Sequence, residues 1–166
     1  MNRFLLTMSI IILLVVSCFA GNNNMHLAAP IFSGTTIDGQ FLSLTDYKGR
    51  VVLLNFWTSA SQSCREDFPF LMKLHDKAKR GAFALVAINV DADASKLKAV
   101  LAQLQTQPGF PIMSDAQGKI LSLFALKNIP ATLVLDKKGF VRYRHYALNH
   151  VEQERLATKI KTLLVE

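Results

Sequence analysis

The sequence predicts an α/β fold, a three-layer sandwich in which helices flank a mixed central β-sheet. Two continuous apolar runs, Val51–Trp57 and Phe83–Val90, are typical of strands buried on both faces, and a helical pattern lies between them. Further along, the turn sequence Asp136–Gly139 joins two short strand patterns, which indicates a β-hairpin, and a helical pattern follows it. A βαβ unit followed by a hairpin and a helix combines parallel and antiparallel strands in one sheet.

The remaining elements are predicted from turn signals and hydrophobic periodicity. Asp38-Gly39 marks a hairpin turn within Pro30–Leu44. The helix between the two apolar runs carries Pro69, at which we expect a kink, and Gly81 is expected to close it. The other predicted elements are helices at 96–104, 118–126 and 151–165 and strands at 110–113, 132–135 and 140–146.

The composition limits the classes of function. With 166 residues, of which 51% are apolar, the chain is large enough for one ordinary domain and too apolar for wholesale disorder. Two cysteines, Cys18 and Cys64, exclude a disulfide-stapled miniprotein and a Cys-rich zinc site, and the four histidines show no metal-ligand spacing. We therefore expect no metal and no cofactor.

The formal net charge of +7 comes from basic residues that are scattered along the sequence. Because no dense basic run with interleaved aromatic residues is present, we expect no nucleic-acid partner. We interpret the basic residues as solvated helix faces and turns, with a mild attraction to an anionic membrane surface as the alternative.

Residues 1–20 have the pattern of a secretory signal. Arg3 and the amino terminus are followed by an almost wholly apolar run from Phe4 to Val16, and small residues come next. The pattern predicts export to the bacterial periplasm or cell envelope.

Three interpretations of this leader remain open. Cleavage after Ala20 would release a soluble protein, lipidation at Cys18 would anchor a lipoprotein because Val15–Cys18 resembles a bacterial lipobox, and retention would leave a marginal membrane anchor. In the latter two cases the leader or its lipid would contact the membrane. Residues 21–29 are predicted as a linker, and residues 30–166 as the folded domain.

A chemically distinctive segment follows the first buried strand. Trp57 leads through a loop of small polar residues into a helix, so residues 61–64 are predicted to lie at a helix N-terminus. Free N–H groups and the helix dipole stabilise a thiolate at such a position. The helix is predicted to begin at about Ser63, which has capping-box spacing with Glu66, and Ser61 is the alternative N-cap.

This segment resembles the active-site region of thioredoxin-like proteins, specifically the exported TlpA/ResA-like branch with its N-F-W-A-x-W-C-x-x-C-x-x-E-x-P pattern. A second segment, Asn128–Asp136, resembles the G-x-P-T-T-F-x-x-D loop of the family, whose proline is cis and faces the dithiol. The resemblance covers about residues 30–164 and implies a thioredoxin-like fold and membership of the thiol-disulfide oxidoreductases. The matching positions of the first segment are Asn55, Phe56, Trp57, Cys64 and Pro69, with Asp67 at the acidic position.

The sequence departs from the family where the chemistry is done. Ser61 stands at the position of the attacking cysteine, and Ala60 at that of the second tryptophan. A hydroxyl cannot form a disulfide, so the segment Ser61–Cys64 cannot cycle between dithiol and disulfide within itself. We therefore expect a degenerate active site with at most monothiol chemistry through Cys64, which corresponds to the inner, resolving thiol of the family.

The resemblance also implies roles for individual residues. In a catalytic protein Cys64 would be the nucleophile, Ser61 a hydrogen-bond donor and Asp67 a proton or charge partner. Contact with a substrate would come from Trp57, Ile129 and Pro130. The alternatives are a buried apolar Cys64, a solvated Asp67 and a Trp57 that only packs in the core.

Three functions remain open on the sequence. The first is a mixed disulfide between Cys64 and glutathione or a partner protein. The second is non-catalytic binding of an envelope peptide or protein, or assembly, through the groove at Pro130. The third is a one-Cys peroxiredoxin-like peroxidase, because Ser61–Cys64 fits the second half of the pattern P-x-x-x-[T/S]-x-x-C, although Trp57 stands at the proline position.

Overall fold

The computed structural model describes residues 27–78, 81–104 and 106–166. The predicted signal sequence, with the lipidation candidate Cys18, and most of the predicted linker lie outside the described residues. Within them, no helix is long and apolar enough to cross a membrane.

A six-stranded mixed sheet forms the centre of the domain, in the order β1-β8-β7-β4-β5-β6. The neighbours β4, β5 and β6 run parallel, whereas β7 is antiparallel to both β4 and β8. The α/β sandwich with a mixed sheet is therefore confirmed. The strands are β1 Leu27–Ala28, β2 Ser33–Thr35, β3 Phe41–Ser43, β4 Val51–Trp57, β5 Phe83–Asn89, β6 Ile112–Ser114, β7 Ala131–Leu135 and β8 Phe140–His145.

Alternate residues of β4 face two different layers, as the period of a strand requires. Val51, Leu53 and Trp57 pack in one apolar core with α1, α2 and α4, whereas Val52, Leu54 and Phe56 pack in a second core with α3 and the β2–β3 hairpin. All seven residues of β4 are buried, which explains why the strand is a continuous apolar run. The helices are α1 Gln62–Lys77, α2 Ala94–Gln103, α3 Lys119–Leu123 and α4 His150–Val165, and Leu44–Tyr47 forms a 3-10 helix.

The predicted hairpin is present as the separate pair β2–β3, with Thr35 opposite Phe41. Gly39 in its turn has a φ of 86°, a conformation that favours glycine. A bridge from Thr36 to Met113 and a hydrogen bond from Ile37 N–H to the Ile112 carbonyl join the hairpin to β6.

Several predicted boundaries were wrong. Leu27 and Ala28, assigned to the linker, form β1, because they add an antiparallel strand to the free edge of β8. Helix α1 begins at Gln62, so Ser61 rather than Ser63 occupies the N-cap position and the predicted capping box is absent; the Ser61 side chain makes no capping hydrogen bond. Other boundaries differ from the prediction by a few residues: α1 ends at Lys77, before Gly81, β6 begins at Ile112 and α3 ends at Leu123.

Candidate active site at the carboxyl end of β4

A network around Asp91 fixes the loop that leads from β4 into α1. One carboxylate oxygen of Asp91 accepts hydrogen bonds from the Ser59 N–H and from the Asn89 side chain, both at 2.9 Å, and the other accepts the Thr58 hydroxyl. Burial alone would raise the pKa of Asp91, but the hydrogen bonds, that from Thr58 first, hold it below its usual value. Asp91 is thus a buried carboxylate whose hydrogen bonds stabilise the charged form.

Two further contacts hold the same loop from the helix side. The Arg65 guanidinium donates to the Ser59 carbonyl at 2.6 Å, and the Ser61 N–H donates to the Thr58 carbonyl at 3.3 Å. The loop is therefore tied both to β5 and to the first turn of α1, so the position of Ser61 is well defined.

Ser61 and Cys64 lie together at the start of α1, but they differ in accessibility. The Ser61 hydroxyl is partly exposed and lies 2.9 Å from the Ser63 hydroxyl. Cys64 is the third residue of the helix, and it is only 2% exposed. Burial raises the pKa of the Cys64 thiol, and the hydrogen bonds with Ser61 and Thr58 only partly oppose this effect. The thiol is therefore shielded and favours its protonated form.

Asp67 lies one turn further along α1 in a different environment. Its side chain is 4% exposed, and its Oδ2 atom has no hydrogen-bond partner. Burial, followed by the charge of Glu66, raises the pKa of Asp67 to about 7. Asp67 therefore sits between its neutral and charged forms near neutral pH.

A cavity of about 680 Å³ opens beside Asp67. The first three turns of α1 line one side of it, and the segment Ala147–His150 with Gln153 lines the other. Within the described ranges, no three His, Cys, Asp or Glu side chains gather closely enough to hold a metal ion.

Pro130 directly precedes β7 and lies at the same end of the sheet as the start of α1. The Ile129–Pro130 peptide bond is cis, and both side chains are partly buried. Ala131, the next residue, pairs with Phe56 of β4, so Pro130 lies at the end of the sheet where α1 begins. A hydrogen bond of 3.1 Å from the Asn55 side chain to the Thr132 hydroxyl joins the two strands behind it.

Comparison with known proteins identifies the family to which this arrangement of residues belongs. The model of the AhpC/TSA family matches residues 25–144. The chain belongs to this family. Within it the protein is a ResA-like thioredoxin-like protein, as the resemblance implied.

Individual relatives agree with this assignment. Thiol-disulfide oxidoreductase ResA of Bacillus cereus is 28% identical over 153 residues, covering 85% of this chain and 87% of the relative. Thioredoxin-like protein YneN of Bacillus subtilis is 37% identical over 118 residues, covering 70% and 68%. The crystal structure of a proposed thiol:disulfide interchange protein DsbE from Chlorobium tepidum superposes with a TM-score of 0.79 at 30% identity, covering 85% of this chain and 98% of that one.

Trp57, which was expected to contact a substrate, does not reach the surface of this ResA-like protein. Trp57 is fully buried and packs edge-to-face on Phe68, with ring centroids 4.8 Å apart. The assignment of Trp57 to substrate contact is therefore corrected, because its indole fills the core beneath α1. Ile129 and Pro130 remain partly exposed at the site.

Sequence reasoning missed Asp91 and the cavity beside Asp67. Asp91 lies two residues after the end of β5, and the carboxyl ends of neighbouring parallel strands meet at one edge, so its place after a buried strand was a usable signal. The cavity depends on how the segment Ala147–His150 packs against α1. No local pattern encodes that contact.

Proposed function

We propose that this thioredoxin-like protein is exported and binds a polypeptide partner at the edge of the sheet where Ser61 and Pro130 lie. It does so without a dithiol–disulfide cycle of its own. The observation that carries the proposal is the state of Cys64, the only cysteine among the described residues. It is 2% exposed, its thiol has a raised pKa, and a serine stands where the relatives' chemistry needs an attacking thiol. Export rests on the pattern of residues 1–20.

An extended polypeptide is the partner that fits this edge. Ile129 and Pro130 precede β7 and lie outside the strand ladder, and their side chains are partly exposed. A backbone laid along such a segment gains main-chain hydrogen bonds, and neighbouring pockets receive its side chains. The names of the relatives, oxidoreductase and interchange protein, also favour a polypeptide carrying cysteine.

A reductase assay with a matched gain-of-function variant tests the lack of turnover. We expect the protein to give no acceleration of insulin reduction over dithiothreitol alone. The S61C variant supplies the missing thiol at the N-cap and is expected to accelerate the reaction. Turnover by the unaltered protein would contradict the proposal, and failure of S61C would show that more than Ser61 separates the site from activity.

Binding is tested separately from turnover. Extended peptides containing one cysteine are titrated against the protein and against the variant P130A, and the dissociation constant is measured. We expect weaker binding by the variant and unchanged binding by K96A, whose side chain is exposed on α2. Equal affinity of all three proteins for the peptides would contradict binding at this edge.

A mixed disulfide through Cys64 is the second candidate, because two observations favour a thiolate there. Cys64 lies in the first turn of α1, and hydrogen bonding with Ser61 lowers the pKa of its thiol. In this reaction the Cys64 thiolate would attack glutathione disulfide, forming one protein–glutathione disulfide and releasing one glutathione. Mass spectrometry of the native protein after exposure to glutathione disulfide decides between the candidates, since only this one predicts a modified Cys64 peptide. Peroxide consumption that depends on Cys64 would instead favour the peroxidase.

A further inference from the structure

Two turns meet at the end of the sheet opposite the candidate active site. The turn before β4 carries Lys48 and Arg50, and the turn between β7 and β8 carries Lys137 and Lys138. The Gly49 N–H donates to the Lys137 carbonyl at 3.2 Å, so the two turns are in direct contact. Residues scattered along the sequence thus form one basic cluster, defined as these four side chains.

The acidic side chains Asp136, Glu166 and Asp46 near these turns already have hydrogen-bond or ion-pair partners. Arg142 binds Asp136 at 3.2 Å and the Glu166 side chain at 2.8 Å. Asp46 accepts the Ser43 N–H at 2.8 Å as part of the cap of the 3-10 helix.

The basic cluster therefore keeps charge available for a partner. Among the described residues, Lys48, Arg50 and Lys138 have no carboxylate within salt-bridge distance, and Lys137 donates to the Leu164 carbonyl at 2.8 Å. Lys48 and Lys138 are exposed.

Apolar surface lies within the same patch. A cavity of about 190 Å³ is lined by the basic cluster and by apolar residues of the strand ends and the N-terminal segment. Ile31, which borders it, is 71% exposed, and Leu27 on the adjoining sheet edge is 66% exposed. Exposed apolar side chains beside cations fit the interface of a bilayer, where headgroup phosphates meet acyl chains.

The N-terminal segment joins the domain beside the basic cluster. Ala28 pairs with Phe140, and the Ala29 N–H donates to the Gly139 carbonyl at 2.9 Å in the turn that carries Lys138. Only ten residues separate the apolar run Phe4–Val16 from Leu27. Ten residues span at most about 35 Å. If that run or a lipid at Cys18 lies in a membrane, this end of the domain lies within reach of the membrane surface.

We propose that the basic cluster, with Ile31, docks the domain on an anionic phospholipid bilayer. The inference rests on the proposed export to the envelope and adds an orientation to it. Strand β4 runs for seven residues, roughly 23 Å, from the basic cluster to the loop before Ser61. Docking therefore turns the candidate active site away from the bilayer, towards partners in solution.

Lysine labelling of the full chain on vesicles tests the orientation. The protein is reconstituted with phosphatidylcholine vesicles, with and without phosphatidylglycerol, and the rate of amine acylation is measured for each lysine by mass spectrometry. We expect Lys48 and Lys138 to be protected several-fold on the anionic vesicles at low salt. Lys96 and Lys98, exposed on α2, are the internal controls and are expected to label equally on both.

A charge-reversal pair tests the same surface by affinity. We measure the ratio of partition into anionic over neutral vesicles, because the contribution of the leader is the same in all variants. The double variant K48E/K138E is expected to lower this ratio about tenfold or more, at about 1 kcal/mol per basic residue near the surface. The control K96E/K98E makes the same change in net charge and is expected to alter the ratio less than twofold.

Three results would overturn the proposal. They are uniform protection of all lysines, equal loss of partition in both double variants, and protection of Lys48 and Lys138 by inorganic phosphate without vesicles, which would indicate a small-anion site. None of these readouts involves insulin, peptide or Cys64, so failure of this inference is distinguishable from failure of the proposed function.

Discussion

Two buried aspartates at the carboxyl end of the sheet show how differently one protein treats the same side chain. Asp91 and Asp67 are 9% and 4% exposed, yet the pKa of Asp91 is lowered and that of Asp67 is raised to about 7. Asp91 accepts hydrogen bonds from Thr58, Ser59 and Asn89, whereas Asp67 Oδ2 has no partner. Burial favours the neutral form of both carboxyls, and hydrogen bonds outweigh it only at Asp91.

The same difference in hydrogen bonding distinguishes the loop around Asp91 from the start of α1, which that loop supports. The loop around Asp91 is a satisfied network, which is what a fixed scaffold requires. The start of α1 keeps an unpartnered carboxyl beside a cavity and a thiol in its protonated form. Groups left in this state are typical of sites that meet a ligand rather than of structural ion pairs.

The largest expected effect comes from removing the satisfied carboxylate. The Asp91→Ala variant leaves the Ser59 N–H and the side chains of Thr58 and Asn89 without their acceptor. Because these donors are buried or partly buried, we expect a loss of about 3 kcal/mol in the free energy of unfolding. Urea denaturation followed by circular dichroism measures it.

The matched control is Asp76→Ala, which removes an exposed aspartate from α1. Its effect is expected to stay within about 0.5 kcal/mol. If Asp91→Ala were no more destabilising than Asp76→Ala, the network would not hold the loop, and the contrast between the two aspartates would lose its structural basis.

Replacing the unpartnered carboxyl of Asp67 is expected to increase the free energy of unfolding, whereas replacing Asp91 decreases it. The folded protein binds a proton at Asp67 more tightly than the unfolded chain does, so stability from this group is full below about pH 4 and falls as the pH rises to about 7. The Asp67→Asn variant cannot ionise. A shift of about three pKa units corresponds to about 4 kcal/mol at full value. Because the carboxyl borders an open cavity, where solvent screens the charge, we expect the variant to be more stable than the unaltered protein by about 2 kcal/mol at pH 8 and nearly equal to it at pH 4.

Urea midpoints measured from pH 4 to pH 8 decide this prediction. Asp76→Asn removes an exposed acid from the same helix and serves as the control, with stability curves expected to run nearly parallel to those of the unaltered protein. Parallel curves for Asp67→Asn as well would mean that Asp67 is already charged, and the proposed difference from Asp91 would disappear.

The fold was predictable because its main signals are local or periodic. The strands β4 and β5 are continuous apolar runs, and both are buried along their whole length. Strand β1 was missed because two residues, Leu27 and Ala28, carry no pattern of their own, and they become a strand only by pairing with β8. The start of α1 was ambiguous because Ser61 and Ser63 are chemically equivalent caps, and only the packing of the loop selects Ser61.

The sequence predicted which residues form the candidate site, but not their burial or protonation. Sequence placed Ser61, Cys64 and Asp67 at one helix start, but burial of Cys64 depends on the core beneath it. The basic residues were interpreted as solvated helix faces and turns, with a mild attraction to an anionic membrane surface as the alternative. Their clustering was not predicted, because Lys48 and Lys138 are far apart in the chain and come together only through the pairing of β4 with β7. Contacts between distant segments of the chain set both the shielding of the thiol and the gathering of charge.

The smallest expected effect concerns the link between Ser61 and the thiol. Hydrogen bonding with Ser61 lowers the pKa of Cys64, although burial outweighs it. The Ser61→Ala variant removes this bond, so the pKa of the Cys64 thiol should rise further and its alkylation at pH 8 should slow modestly. Rates are measured on the native chain by mass spectrometry of the Cys64 peptide, which separates its signal from that of Cys18.

The matched control for this measurement is Ser63→Ala, which removes the neighbouring hydroxyl and leaves the Ser61 hydroxyl in place. We expect it to change the alkylation rate less than Ser61→Ala does. Faster labelling of Cys64 in Ser61→Ala would show that the serine shields the thiol more than it activates it. In that case the helix start would resemble the loop around Asp91, a closed structural contact, and the mixed-disulfide candidate would lose the hydrogen bond that favours it.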